Sequence, residues 1–90
     1  MAPYVDAQNW ANAETLARDA VTMSEKIGRL EVIARDCSRL ALALVRQNKA
    51  EEGTLYARRA VELFTQLGSL KALEISREIL AECEARITAG

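Results

Sequence analysis

An all-α fold of four antiparallel helices, stacked as a helical repeat, is what three features of this chain predict. The chain overlaps itself at an offset of 40 residues, its long segments carry apolar residues at spacings of three and four, and each such segment is followed by a residue that stops a helix. At that offset Ala17, Arg18, Ala20 and Val21 fall on Ala57, Arg58, Ala60 and Val61, and Gly28 and Leu30 fall on Gly68 and Leu70. Leu40, Ala41 and Arg46 fall on Leu80, Ala81 and Arg86. Differing positions keep their character, with Met23 over Leu63, Ile27 over Leu67 and Ile33 over Leu73. A period of this length marks stacked units, each of which buries its apolar face only against the next.

The first helix, at about 10–27, carries Leu16, Ala17, Ala20, Val21, Met23, Ser24 and Ile27 along one side, and Gly28 ends it. The second, at about 30–47, has a stripe of Ile33, Cys37, Leu40, Ala41 and Leu44, widened by Ala34, Leu42 and Val45. Asn48 follows, a residue that tolerates the left-handed conformation found beyond helix ends. The third, at about 50–67, opens with Glu51 and Glu52, which complement the helix dipole, and closes at Gly68. The fourth, at about 69–87, starts at Ser69 as N-cap and carries Leu70, Leu73, Ile75, Ile79, Leu80 and Cys83. No segment alternates as a strand does. Connections this short force successive helices into antiparallel hairpins. Gly53 lies inside the third helix, where glycine costs about 1 kcal/mol relative to alanine. Its equivalent is Ala13, so the position selects for smallness, which points to a close helix–helix crossing rather than a flexible defect.

Ninety residues make one small domain, 1–90. Half of them are hydrophobic but only 4% are aromatic, so the interior is built of Ala, Leu, Val and Ile, which suits close helices. A net charge of −1 gives no basis for a nucleic-acid or membrane-surface partner. The chain has no histidine, the commonest general base and metal ligand, and its carboxylates are scattered over helix faces. An enzyme is therefore not expected, nor a cofactor or metal. Cys37 and Cys83 stand apart in sequence and are read as small apolar core residues rather than a disulfide, which fits a reducing, cytoplasmic setting. Met1 to Trp10 lacks the basic start and apolar middle of a signal peptide, and no stretch is long enough to span a membrane.

Leu40-Ala41, Leu44, Asn48, Glu52-Gly53, Ala57 and Ala60-Val61 together resemble the tetratricopeptide repeat, a helix–turn–helix unit with small residues at these spacings. Leu40-Ala41 looks like that motif's leucine–glycine pair, Gly53 like the small residue that opens its second helix, and Ala60 like the alanine near its end. The family's unit is about 34 residues and ends in proline. Here the second helix is longer, without that proline, a form similar to repeat arrays of bacterial regulators and signalling ATPases. The resemblance implies a right-handed solenoid fragment, a bacterial origin and a protein-binding role. It also implies that the first helix of each pair lines a concave face. Arg35, Ser38, Arg39, Leu42, Val45 and Arg46, with Ile75, Glu78, Ile79, Glu82 and Arg86, then face a groove for a protein or peptide. Of these, Arg35, Arg39, Leu42, Arg46, Ile75 and Ile79 are the expected partner-binding residues. The competing reading is a solvated face of ordinary helices. The family's lysine–asparagine clamp for a chaperone's terminal carboxylate is not expected, because Leu42, Glu78 and Glu82 stand where it would be.

Before Gln8 only Pro3 to Ala7 remain, so the helices run in the order second-type, first-type, second-type, first-type. That phase leaves apolar strips at both ends and makes self-association, as a two-fold dimer or by end-to-end stacking, the alternative function. Trp10, Leu16 and Leu80 are its expected contacts, although Trp10 reads first as a core anchor that closes the bundle and second as an interface residue. Arg18, Arg58 and Arg59, surrounded by Glu14, Glu25, Glu51, Glu52 and Glu62, read as a salt-bridged outer face rather than a basic patch.

Overall fold

Residues 7–89 are described by the computed structural model, and they form α1 (Ala7–Ile27), α2 (Leu30–Val45), α3 (Ala50–Leu67) and α4 (Leu70–Ala89). Residues 1–6, with Pro3 among them, and residue 90 lie outside the described residues. No strand occurs among those described. α3 has its expected limits, and α1 begins three residues earlier than the apolar pattern indicated. α2 ends at Val45 rather than Gln47, because the Gln47 N–H donates to the Leu44 carbonyl at 3.0 Å, a tighter bond than the α-helical one. Ser69 stays outside α4, its carbonyl accepting the Leu73 N–H at 2.8 Å, and the helix runs two residues past Ile87 to Ala89.

Each of the three joints turns on one residue in the left-handed region: Gly28 (φ 80°), Asn48 (φ 63°) and Gly68 (φ 71°), spaced evenly along the chain. At the second joint the Lys49 N–H reaches the Leu44 carbonyl at 2.9 Å, and at the third the Ser69 N–H reaches that of Phe64 at 3.1 Å. These back-bonds close the last turn of each helix where the chain leaves it and reverses direction.

α2 is the centre of the molecule. It packs on α1, α3 and α4, whereas no Cα atom of α1 comes within 8 Å of one in α3 or α4. Ten of its 16 residues are buried, too many for the single stripe of a surface helix. Two apolar clusters meet on it. Ile33, Ala34, Cys37, Leu40 and Leu44 join Ala17 and Val21 of α1, Ala60 and Phe64 of α3, and Leu73 of α4. Ala41 and Val45 join Ala50 and Ala57 of α3, and Ile79 and Cys83 of α4, with Leu80 packed against them.

Three helices converge at Gly53. A Cβ there would stand 3.2 Å from the Ala41 carbonyl oxygen, 3.3 Å from Cys83 Sγ and 3.4 Å from Leu44 Cβ, so α3 approaches α2 and α4 as closely as a helix without a side chain can. Gly53→Val forces a branched side chain against helix backbone and is expected to cost about 2–3 kcal/mol, read as a lower urea midpoint at unchanged slope. Asn48→Ala, which puts a Cβ on a left-handed backbone without the amide's local hydrogen bonding, is expected to cost about 1 kcal/mol, and Asn48→Gly less.

Candidate functional site

Leu42, Ile75 and Ile79 line a groove of about 230 Å³ between the middle of α2 and the N-terminal half of α4. Phe64 of α3 forms part of its lining with Ala72, and Ser38 lines it from α2. Arg35 and Arg39 stand along the α2 side, both exposed. Arg39 has no carboxylate partner among the described residues, and Arg35 has only a long contact with Asp36 at 3.7 Å. The groove therefore offers apolar lining edged by guanidinium groups that can form paired bonds to carboxylates.

Arg39 and Leu42 also line a second cleft, of about 430 Å³, between α1 and α2. Trp10, Ala13, Leu16, Ala17 and Ala20 form its α1 side, and the buried Asp36 lies on α2. The two clefts adjoin along α2, so α1, α2 and α4 share one surface. Trp10 is half-buried at its end, with the Arg46 guanidinium 5.8 Å from its ring centroid, a cation–π contact.

Five of the six expected partner-binding residues, Arg35, Arg39, Leu42, Ile75 and Ile79, line the α2–α4 groove together. Arg46 does not. It is held by Trp10 and by Glu82 at 3.1 Å, and Glu82 also pairs with Arg86 at 3.3 Å, which in turn donates to Asn48 at 3.2 Å. This ionic chain ties the C-terminal ends of α2 and α4 and takes Glu82 and Arg86 out of the groove. Val45, expected to face the groove, is fully buried in the second cluster, because α2 is covered on three sides. Of the expected self-association residues, Trp10 and Leu16 share the α1–α2 cleft, whereas Leu80 is half-buried against the second cluster, away from both.

A polar junction that carries no local sequence signal fixes α1 to the rest. Glu14, with 13% of its side chain exposed, accepts hydrogen bonds from Arg18 (2.8 Å), Gln47 (2.8 Å) and Lys49 (3.0 Å). Gln47 also donates to the Trp10 and Ala43 carbonyls. Burial pushes the Glu14 carboxyl up, but the bonds from Lys49, Arg18 and Gln47 together outweigh it and hold it below its ordinary value. Arg18 bridges to Glu52 of α3, and Arg59 of α3 to Glu25 of α1, so these helices meet through close ion pairs between long side chains across the outer face. Arg58 lies 3.9 Å from Glu84. A broader depression of about 540 Å³ lies between the α2–α3 joint and the end of α4, but its walls are mostly Lys49, Glu51, Glu52 and Arg86, charges of both signs.

Cys37 and Cys83 are free and buried, and burial raises both thiols above their ordinary value. Among the described residues no group of three or more His, Cys, Asp or Glu is placed to hold a metal ion, and no helix is long and apolar enough to cross a membrane. The two clefts together present an apolar furrow, the guanidinium groups of Arg35 and Arg39, and an indole at one end.

No protein-family model matches the chain, and neither a curated protein nor a solved structure matches it.

Because the Glu14 carboxyl is held low, its contribution to stability is present above the ordinary carboxylate value of 4.5 and is lost as pH falls through the depressed folded value. Glu14→Gln is expected to cost about 1–2 kcal/mol at neutral pH and to flatten the acid limb of stability against pH, measured by urea unfolding. The thiols act at the other limb. The unfolded chain ionises first, so stability declines as pH climbs past 9.0 towards the raised folded values. Iodoacetamide at mildly alkaline pH is expected to leave both cysteines unmodified until denaturant opens the fold, a result mass spectrometry reads directly.

Proposed function

We propose that this chain is a non-catalytic interaction module, a right-handed solenoid fragment of the tetratricopeptide-repeat kind, whose α2–α4 groove receives a partner protein or peptide. The observation that carries the reading is the juxtaposition of an apolar furrow with Arg35 and Arg39 at its edge. The partner segment that fits is apolar along one side, as an amphipathic helix or a short extended stretch is, with acidic residues beside it. The packing order agrees with a stack of hairpins. Each helix touches its neighbour along the chain, and the one further pair is α2 with α4, the two helices one repeat apart. Twofold recurrence of the sequence pattern supports the same architecture.

The reading is tested with a displayed library of short peptides in which apolar anchors are combined with acidic or basic flanks. Selection of acidic, apolar sequences, with amide shifts at Arg35, Arg39, Leu42, Ile75 and Ile79 on titration, is the expected result. Arg39→Glu and Arg35→Glu are each expected to weaken a selected peptide about tenfold, which is about 1.4 kcal/mol, without changing the helical circular-dichroism signal. Selection of basic sequences, or binding indifferent to both substitutions, would refute it.

A further inference from the structure

The two outer faces of the molecule are not alike. On α1, Leu16, Met23 and Ile27 are 71, 64 and 68% exposed, and with Ala20 they form one stripe with alternating spacings of four and three. One period later the same positions are Tyr56, Ala60, Leu63 and Leu67, all buried or half-buried in α3. The α1 stripe thus has the composition of a packed face and nothing packed on it among the described residues. α4 differs. Where α2 buries Ala34, Cys37 and Leu44, α4 has Glu74, Arg77 and Glu84, all exposed. Stacking the end of one copy on the start of the next would drive those charges against Leu16, Met23 and Ile27 and strip their water without partners.

We infer that the α1 stripe is a docking surface for the α1 of a second copy, the two helices running antiparallel about a two-fold axis. Seven-residue spacing of apolar positions is the pattern that lets two helices keep one seam in contact. In one register Leu16 meets the partner's Ile27 and Ala20 meets the partner's Met23, with each contact repeated by symmetry. That register sets Asp19 beside the partner's Lys26 and Lys26 beside the partner's Asp19. Both residues are exposed, and neither has an ion-pair partner within the described chain. Sliding the helices by one heptad, so that Leu16 meets the partner's Ala20, sets Asp19 beside the partner's Asp19, which charge repulsion disfavours. Apolar spacing and charge therefore select the same alignment. Leu16 and Ala20 also line the α1–α2 cleft, whereas Arg35 and Ile75 line the α2–α4 groove and not that cleft. A four-layer helix pair is a small interface, and the association is weak and reversible.

Sedimentation velocity over a wide dilution series tests this on the whole chain. A monomer–dimer equilibrium is expected, abolished by Met23→Glu and by Leu16→Glu, both at exposed positions that leave the monomer's helical signal intact. Asp19→Lys alone is expected to weaken the dimer about tenfold by opposing two cations, and the exchange Asp19→Lys with Lys26→Asp to restore it to within about threefold. A monomer at every concentration would overturn the inference. So would assembly that survives Met23→Glu, species that grow beyond a dimer, or a charge defect that the exchange fails to repair. None of these outcomes depends on whether the groove binds peptide.

Discussion

The absence of a side chain at Gly53 is the constraint on which the packing of this molecule turns. Ala41, Leu44 and Cys83 close around it, and all three are buried to within 1% or less of full enclosure. This contact draws the C-terminal halves of α2 and α4 onto the start of α3, with Ala57 and Ala60 continuing the small-residue track along α3. Packing contacts at this range gain from dispersion, and they tolerate no added methylene. The groove runs along the flank of the same α2–α4 pair, where Leu42 and Ile75, with Phe64 of α3, are too large for that approach, so core and candidate site share one helix pair.

Electrostatics supplies what apolar packing leaves undone for α1. That helix packs on α2 alone, so its orientation against α3 is set by Arg18 to Glu52 and Glu25 to Arg59, with Glu14 drawing in Lys49 from the α2–α3 joint. Surface ion pairs contribute little singly. Glu14 is the exception, because three donors converge on one largely enclosed carboxylate and the position of each depends on the others.

The number of helices, the three joints and the crossing at Gly53 were legible in the sequence because each rests on local chemistry: three-and-four spacing, residues that accept a positive φ, and a glycine whose repeat equivalent is alanine. Arg35, Arg39, Leu42, Ile75 and Ile79 could be grouped because they lie on matching faces of helices one period apart. Val45 was misplaced because periodicity shows where a stripe is centred but not how far burial extends around a helix covered on three sides. Arg46 and Leu80 sit apart from that group for a related reason, since their surroundings come from Trp10 and α3, far away in sequence. The Glu14–Gln47–Lys49 junction links residues more than 30 positions apart, and no spacing rule announces it.

The even placement of the left-handed residues at 28, 48 and 68 has a consequence for how such a chain can vary. Gly28 and Gly68 stand one 40-residue period apart and each directly follows its helix, so a hairpin unit inserted or deleted between them would leave equivalent corners on either side. Length is then adjustable in whole modules, and a lineage could lengthen or trim this protein without redesigning a single surviving corner.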